Sequence, residues 1–371
     1  LMGVLITALA LLLGYGTAYV ASDEVRYLTR AGIEETAILE KRRPIDRLVA
    51  DPKLDPETRA YLQLVLAVRA HAAQLGLEAG KTYTKYTDIG RDTLLLNLTA
   101  SLKNCICPKS WKYPIVGRVP YKGFFDVKAA WREADKLAAQ GYDIYLRPAA
   151  AYSTLGWFED PLLSTALVKD SVELASLVFH EIAHNTLYVK SATPFNESFA
   201  QLVGYRAAEE FFRTRGDSTL AARARDLWND EIVLGEFYHA LLDRLEAFYA
   251  SKPGPDSLEA GRVAIARWAR EQLQGPFGQR LRVRKVGRLA ERPINNATRV
   301  GIRLYRTHLD WFDRWYDQHY RNLKNSVAAL RQLMQGVTGD SAFARLQRAL
   351  GDSAGLAPPG GNRGMFGPPI S

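Results

Sequence analysis

Cysteine is scarce in this 371-residue chain: there are two, both in the triplet Cys105-Ile-Cys107. Two thiols alone make a poor metal site, and cysteines this close rarely pair without strain. They are read either as core thiols or as a weakly held local disulfide, and they do not identify a redox compartment. The chain also lacks a zinc knuckle, a ribonucleoprotein motif, a basic zipper and any internal repeat, so no nucleic-acid partner is expected. Charge is missing altogether from residues 1–21.

What is present belongs to a folded protein: 47% hydrophobic and 24% charged residues, with Trp 7 and Tyr 18. The length suits one large or two ordinary domains. The formal net charge is +9, and basic residues concentrate between Arg262 and Arg306, notably over residues 279–285. That stretch reads either as a face for anionic lipid, acidic substrate or an acidic partner, or as a solvated helix face.

At about 1.5 Å per residue, residues 1–21 reach about 30 Å, the thickness of a bilayer core. Tyr15 and Tyr19 would sit toward one interface. Val20-Ala21-Ser22 would also serve as a signal-peptide cut site, but the stretch is long for a signal core. Residues 1–22 are therefore expected to be an uncleaved transmembrane anchor, and without a nearby cysteine not a lipoprotein anchor. The flanking charges, Asp23 and Glu24 before any basic residue, do not fix its orientation.

Residues 23–350 should form the main domain. Residues 23–80 are helical, with Asp55 capping a helix that has Pro56 at its first position. Residues 81–215 hold a small sheet and the site: strands are predicted at residues 93–100, 113–119 and 142–147, with a helix over 126–139 ending at Gly141. Residues 216–350 are helical again, with a last helical stretch over 323–350. The Gly/Pro-rich tail, residues 351–371, has no core-forming pattern.

The stretch that carries chemistry is His-Glu-x-x-His: His180, Glu181 and His184 on a helix predicted over residues 172–189. Positions i and i+4 share a helix face, so both imidazoles can reach one metal ion. Glu181 is placed to take a proton from water activated by that metal. Leu174, Leu177, Val178, Ile182, Ala183 and Leu187 would bury this helix, and burying histidine and glutamate without partners is costly. Asn196-Glu-x-x-Ala200 then offers Glu197 as a third ligand. Twelve residues separate it from His184, and Pro194 suits a turn and a helix restart near Phe195. An aromatic stretch over residues 151–158 reads as a strand that lines a substrate cleft or as an ordinary strand and turn. Ser153, Thr154 and Gly156, together with Asn196, are cleft candidates. Tyr152, Tyr188, Tyr305 and His308 compete as donors to an oxyanion. His71, His239 and His319 are expected to be packing or surface residues.

With those residues in view, the chain resembles the bacterial "Putative aminopeptidase" family of membrane-associated, gluzincin-like zinc peptidases. The likeness runs from about Glu24 to Leu350. It is carried by Val119-Pro-Tyr-Lys-Gly-Phe-Phe125, by residues 152–163, by His180-Glu-Ile-Ala-His-Asn-Thr-Leu-Tyr188, by Phe195-Asn-Glu-Ser-Phe-Ala200 and by Ile294-Asn-Asn-Ala297. The resemblance implies a zincin-like α+β fold, mostly helical, with a small sheet beside the active-site helix. It further implies one zinc ion, a peptide substrate, aminopeptidase action and a periplasmic main domain. The residue that would grip a free α-amino group is not identifiable. A second expectation comes from a different class: a structural or accessory subunit of a larger membrane complex, built on a peptidase scaffold.

Overall fold

The computed structural model describes residues 2–113, 117–149 and 161–351. Helix α1 (Met2–Ala21) is the uncharged stretch, long and apolar enough to cross a membrane and not buried against the rest of the chain. Ser22 separates it from α2 (Asp23–Glu40), the serine hydroxyl accepting from the Val25 N–H. Arg26 reaches back to the carbonyls of Tyr19 and Val20, which the end of α1 leaves open. After β1 (Arg43–Pro44) and α3 (Ile45–Ala50), α4 (Pro56–Gln74) starts as its sequence predicts. Asp55 accepts from the Thr58 N–H at 2.8 Å, and the helix buries Leu62, Val65, Val68 and Ala72.

The sheet region follows: β2 (Lys85–Thr87), β3 (Leu95–Leu102), β4 (Trp111–Tyr113), β5 (Gly117–Val119), β6 (Lys122–Phe124), α5 (Val127–Ala139), β7 (Tyr142–Ala149) and β8 (Leu162–Leu163). Strand β2 pairs with β1 on one side and β8 on the other. Residues 113–119 do not make the single strand expected. Trp111 stands opposite Val119 in a β4–β5 ribbon, so the chain reverses between them. The two cysteines pair as a disulfide, with their Cα atoms 5.2 Å apart.

The antiparallel sheet β6-β3-β7 has two different faces. Side chains alternate along a strand. Leu96, Leu98, Ala100, Ile144 and Leu146 pack against Ala130, Ala134 and Leu137 of α5. Asn97 and Arg147 are directly paired, as are Thr99 and Tyr145, and these polar residues take the opposite face. Gly141, between α5 and β7, has φ +86°, the left-handed conformation that glycine adopts without penalty.

The helical layer consists of α6 (Ser171–Thr186), α7 (Thr193–Thr214), α8 (Ser218–Ala250), α9 (Pro255–Gln274), α10 (Val286–Ala290), α11 (Asn296–Tyr305), α12 (Leu309–Gln318), α13 (Leu323–Leu333) and α14 (Ser341–Ala349). One apolar cluster joins residues from Ile45 to Leu350, with Phe179, Phe195, Phe199, Phe211, Trp228 and Phe312 among its largest members. Residues 323–350, expected as one helix, are two. Gly336 and Gly339 adopt φ +71° and +58° between them, and the Gly339 N–H donates to the Lys190 carbonyl.

The basic run over residues 279–285 is neither a helix nor a free cationic face. It forms a strap across α8, where Asp230 accepts the backbone N–H groups of Arg282, Val283 and Arg284. Its arginine side chains are paired: Arg280 with Glu236, Arg282 with Asp226, and Arg284 with Glu231 and Glu173. Such pairing leaves this run little charge to offer a membrane or an acidic partner.

Helix α11 is pinned at both ends. Asn295 caps it, with a reciprocal Thr298 contact, and donates to the Ile144 carbonyl of β7. Asn296 is buried; its N–H donates to Asp143, and its side-chain amide approaches the carbonyls of Leu102, Lys103 and Cys105. At the far end Arg306 donates to Glu231 at 2.7 Å. Burial alone would raise the Glu231 pKa, but Arg306 and Arg284 outweigh it and hold the carboxyl below its ordinary value.

A depressed folded pKa means stability that is present above the ordinary glutamate value of about 4.3 and lost as pH falls through the folded value. Glu231→Gln should therefore cost roughly 3–5 kcal/mol at neutral pH, because it leaves two arginines without their buried partner. Chemical unfolding at neutral pH and again below pH ~4 should show the gap between the two proteins shrinking in acid.

Candidate functional site

Helix α6 begins at Asp170, whose side chain accepts from the Val172 and Glu173 N–H groups, both at 3.0 Å, and pairs with Arg223 at 2.6 Å. Its apolar residues, among them Val172, Leu174, Ala175, Val178, Phe179, Ile182 and Ala183, are buried. The helix is thus fixed in rotation, with His180 and His184 on the remaining face and their ring centroids 4.9 Å apart. It ends three residues earlier than its periodicity suggests. Thr186 accepts from the Glu78 N–H, and Asn185 donates to Thr82, so the end is tied to a neighbouring segment.

The return from α6 to α7 takes residues 187–192. Ser191 turns it in the left-handed region, at φ +60°, and Pro194 lies in the first turn of α7. Asn196, 1% exposed, closes this turn from inside. Its Oδ1 accepts from the Val189 N–H and its Nδ2 donates to the Val189 carbonyl, each at 2.9 Å. Asn196 therefore does not line a cleft, as expected from its neighbour in the motif; its amide is spent on the backbone.

The clamp delivers Glu197 to the histidines. Its Oε2 lies 3.4 Å from His180 Nε2 and its Oε1 3.7 Å from His184 Nε2. One ligand atom from each of the three residues falls within 4.8 Å of the other two. Close approach of the helices is also required. At Gly204, on α7, a Cβ would meet the Ser176 carbonyl oxygen at 2.8 Å and the Ser176 hydroxyl at 2.9 Å, with His180 Cβ at 3.4 Å.

Two imidazoles and a carboxylate, converging through side chains that are only 13–23% exposed, form a donor set that fits zinc. Three protein ligands would leave a coordination position open. Burial, then the neighbouring His180, pushes the His184 pKa down to about 4 against the opposing pull of Glu197. The ring is consequently neutral at physiological pH, as ligation needs. Its Nδ1 is buried without a hydrogen-bond partner.

Of the oxyanion candidates, Tyr188 and Tyr305 lie within the field of Glu197, and Tyr305 also within that of Glu181. Burial, then Glu197, raises the pKa of both, so both phenols stay protonated and able to donate. His308 is engaged elsewhere. It stacks on Trp311 at 3.8 Å and packs beside Phe343 and His239, with no contact to the cluster. Burial pushes its pKa to about 4, which suits an aromatic packing residue. His71, between Phe179 and Phe211, and His319, on Trp315, are packing residues too, while His239 sits on the surface near Asp243. Tyr152, Ser153, Thr154 and Gly156 lie outside the described residues.

Two site residues went unnoticed in the sequence, Tyr121 and Arg147. Both line a cavity with Tyr305, and Tyr121 also feels Glu197. The alternation of polar Asn97 and Thr99 with apolar Leu96, Leu98 and Ala100 was the available signal that this strand has a second, polar face.

Asn196→Ala should leave the helices formed but orphan both polar groups of Val189, at roughly 1–3 kcal/mol each. Metal affinity should fall by about 10- to 100-fold, as for other residues that orient ligands. Gly204→Ala should push α7 away from α6 and weaken metal binding in the same direction. Competition with a chelating dye, alongside circular dichroism to verify the fold, measures both.

A family model described as "Putative aminopeptidase" matches residues 26–341. No curated protein and no solved structure matches the chain.

Proposed function

The chain belongs to the Putative aminopeptidase family, and on that premise we propose that it is a membrane-anchored, zinc-dependent peptidase with aminopeptidase-like action. One observation carries the reading: His180, His184 and Glu197 converge within 4.8 Å, with Glu181 on the same helix. His180 and His184 would hold the metal through Nε2 and Glu197 through its carboxylate. Zinc in that position supplies Lewis-acid activation of water and of the scissile carbonyl.

The remaining chemistry falls to the chain. Glu181 takes the proton from the attacking water and returns it to the leaving amine nitrogen. Tyr305 donates its phenolic hydrogen to the oxygen on which negative charge develops. It is favoured over Tyr188 because it alone of the two lies in the fields of both Glu197 and Glu181. Helix α1 serves as the membrane anchor, supported by its length, its apolar composition and the exposure of its apolar window. A periplasmic position for the main domain is what the family resemblance implies for a chain with a single N-terminal anchor.

Purified protein should contain about one zinc per chain, measured by atomic emission, as the three-ligand set requires. Glu181→Gln should keep that zinc while peptide hydrolysis falls by about 100-fold or more. Folded protein that binds no zinc would overturn the reading. Removing residues 2–21 should shift the protein from the membrane to the soluble fraction.

A further inference from the structure

Beside the cluster lies a cavity of about 50 Å³ between the polar face of the β3–β7 pair and α11. That is room for a few water-sized groups, since one needs only about 10–15 Å³. Asn97, Tyr121, Tyr145, Arg147 and Tyr305 supply its polar lining. Asn97 is 8% exposed, yet its Oδ1 has no hydrogen-bond partner. Buried polar atoms are nearly always paired, so this acceptor, on a residue of the cavity wall, is one still to be satisfied. Arg147 makes no ion pair among the described residues. A guanidinium that lines a cavity and has no counter-charge among the described residues is available to a bound anion.

The anion has a defined place relative to the reaction. Tyr121 and Tyr305 form the cavity wall and both lie in the field of Glu197. A group bound there is a short reach from a scissile bond at the cluster. The charges also decide which end of a peptide it holds. Glu181 and Glu197 are already committed, and among the described residues the lining adds a cation but no carboxylate, so an α-amino group would meet Arg147 and be repelled. A planar carboxylate suits both the volume and the guanidinium fork.

We propose that Arg147, with Asn97 and the hydroxyls of Tyr121 and Tyr145, forms a carboxylate-binding subsite that restricts the enzyme to peptides carrying a carboxylate next to the scissile bond. This rests on the peptidase reading above. The carboxylate is either the free C-terminus of a very short peptide or the side chain of an acidic residue. Asn97 fits as the partner of a nearby peptide N–H, and Arg147 acts as a binding residue.

The test uses calorimetric titration of the zinc-loaded Glu181→Gln protein, which binds without turnover, with Ala-Ala, Ala-Ala-amide and Ala-Asp-amide. Ala-Ala should bind at least about tenfold more tightly than its amide, the order expected for one charge-assisted pair. Arg147→Ala should abolish the difference and Arg147→Lys should restore part of it; Arg147→Gln, closer in size, replaces the alanine variant should that one fail to fold. Preference for Ala-Asp-amide instead would assign the subsite to an acidic side chain. Equal affinities for all three peptides, or a preference that survives loss of Arg147, would overturn the proposal. Hydrolysis by the wild-type protein separates this from the parent reading. Cleavage that ignores the carboxylate sinks the subsite alone, whereas Arg147-dependent binding without any cleavage sinks the peptidase and leaves the subsite.

Discussion

Two successive helices can present ligands to one ion only if the chain between them doubles back without spending much length, and the Asn196 amide enforces that return. A side-chain amide has the same donor and acceptor as a peptide group, so it can pair with Val189 as a strand neighbour would, at 2.9 Å in both directions. The adjacent Glu197 then has no choice of position. Rotation of α7 is fixed on its other faces by buried Phe195, Phe199 and Phe211, and Gly204 sets its distance from α6. Geometry within a few tenths of an ångström is what a three-ligand centre would need, and here it comes from a backbone clamp and a missing side chain, neither of which is among the three converging residues.

The same logic extends outward to Tyr305. Asn295 and Asn296 attach the start of α11 to β7 and to the loop bearing the disulfide, and Arg306 ties its end to Glu231 on α8. Ser198, one residue beyond Glu197, donates to the Thr307 carbonyl at 2.8 Å, linking the ligand helix to the chain just past Tyr305. Phenol, carboxylates and imidazoles therefore belong to one mechanically connected unit. Asn296 and Glu231 are both buried, where an unpaired amide or charge would be expensive; each is satisfied by several partners, which makes the links stiff.

Much of this was legible in the chain itself. Helical spacing put His180, Glu181 and His184 on one helix, and the short separation to Glu197 suggested a returning third ligand. The capping pairs Asp55–Pro56 and Asp126–Gly141 announced their helices because capping chemistry is local. What stayed hidden depended on contacts between distant segments. Asn196 read as a cleft residue since nothing in the sequence tells whether an amide meets substrate or backbone. His308 has the right chemistry for an oxyanion donor, but Trp311 and Phe343 surround it. Arg147 gave no signal, because its meaning comes from facing Asn97 across a strand pair fifty positions apart in sequence. The arginines over residues 279–285 could be read either as an anion-binding face or as a solvated helix face, because their acidic partners, Glu231, Asp226 and Glu236, come from another helix.

The site is electrically divided in a way that bears on which substrates can occupy it. Among the described residues, its carboxylates, Glu181 and Glu197, stand on the helical layer, and the guanidinium that lines the cavity, Arg147, stands on the sheet. Metal in the cluster would offset much of the negative charge on the helical side, leaving Arg147 as a net positive feature on the sheet side. A peptide crossing from one layer to the other meets a field that favours negative charge at the sheet end. Under the proposed subsite, a recess of about 50 Å³ admits a group no larger than a carboxylate, whether it comes from a chain end or from an acidic side chain.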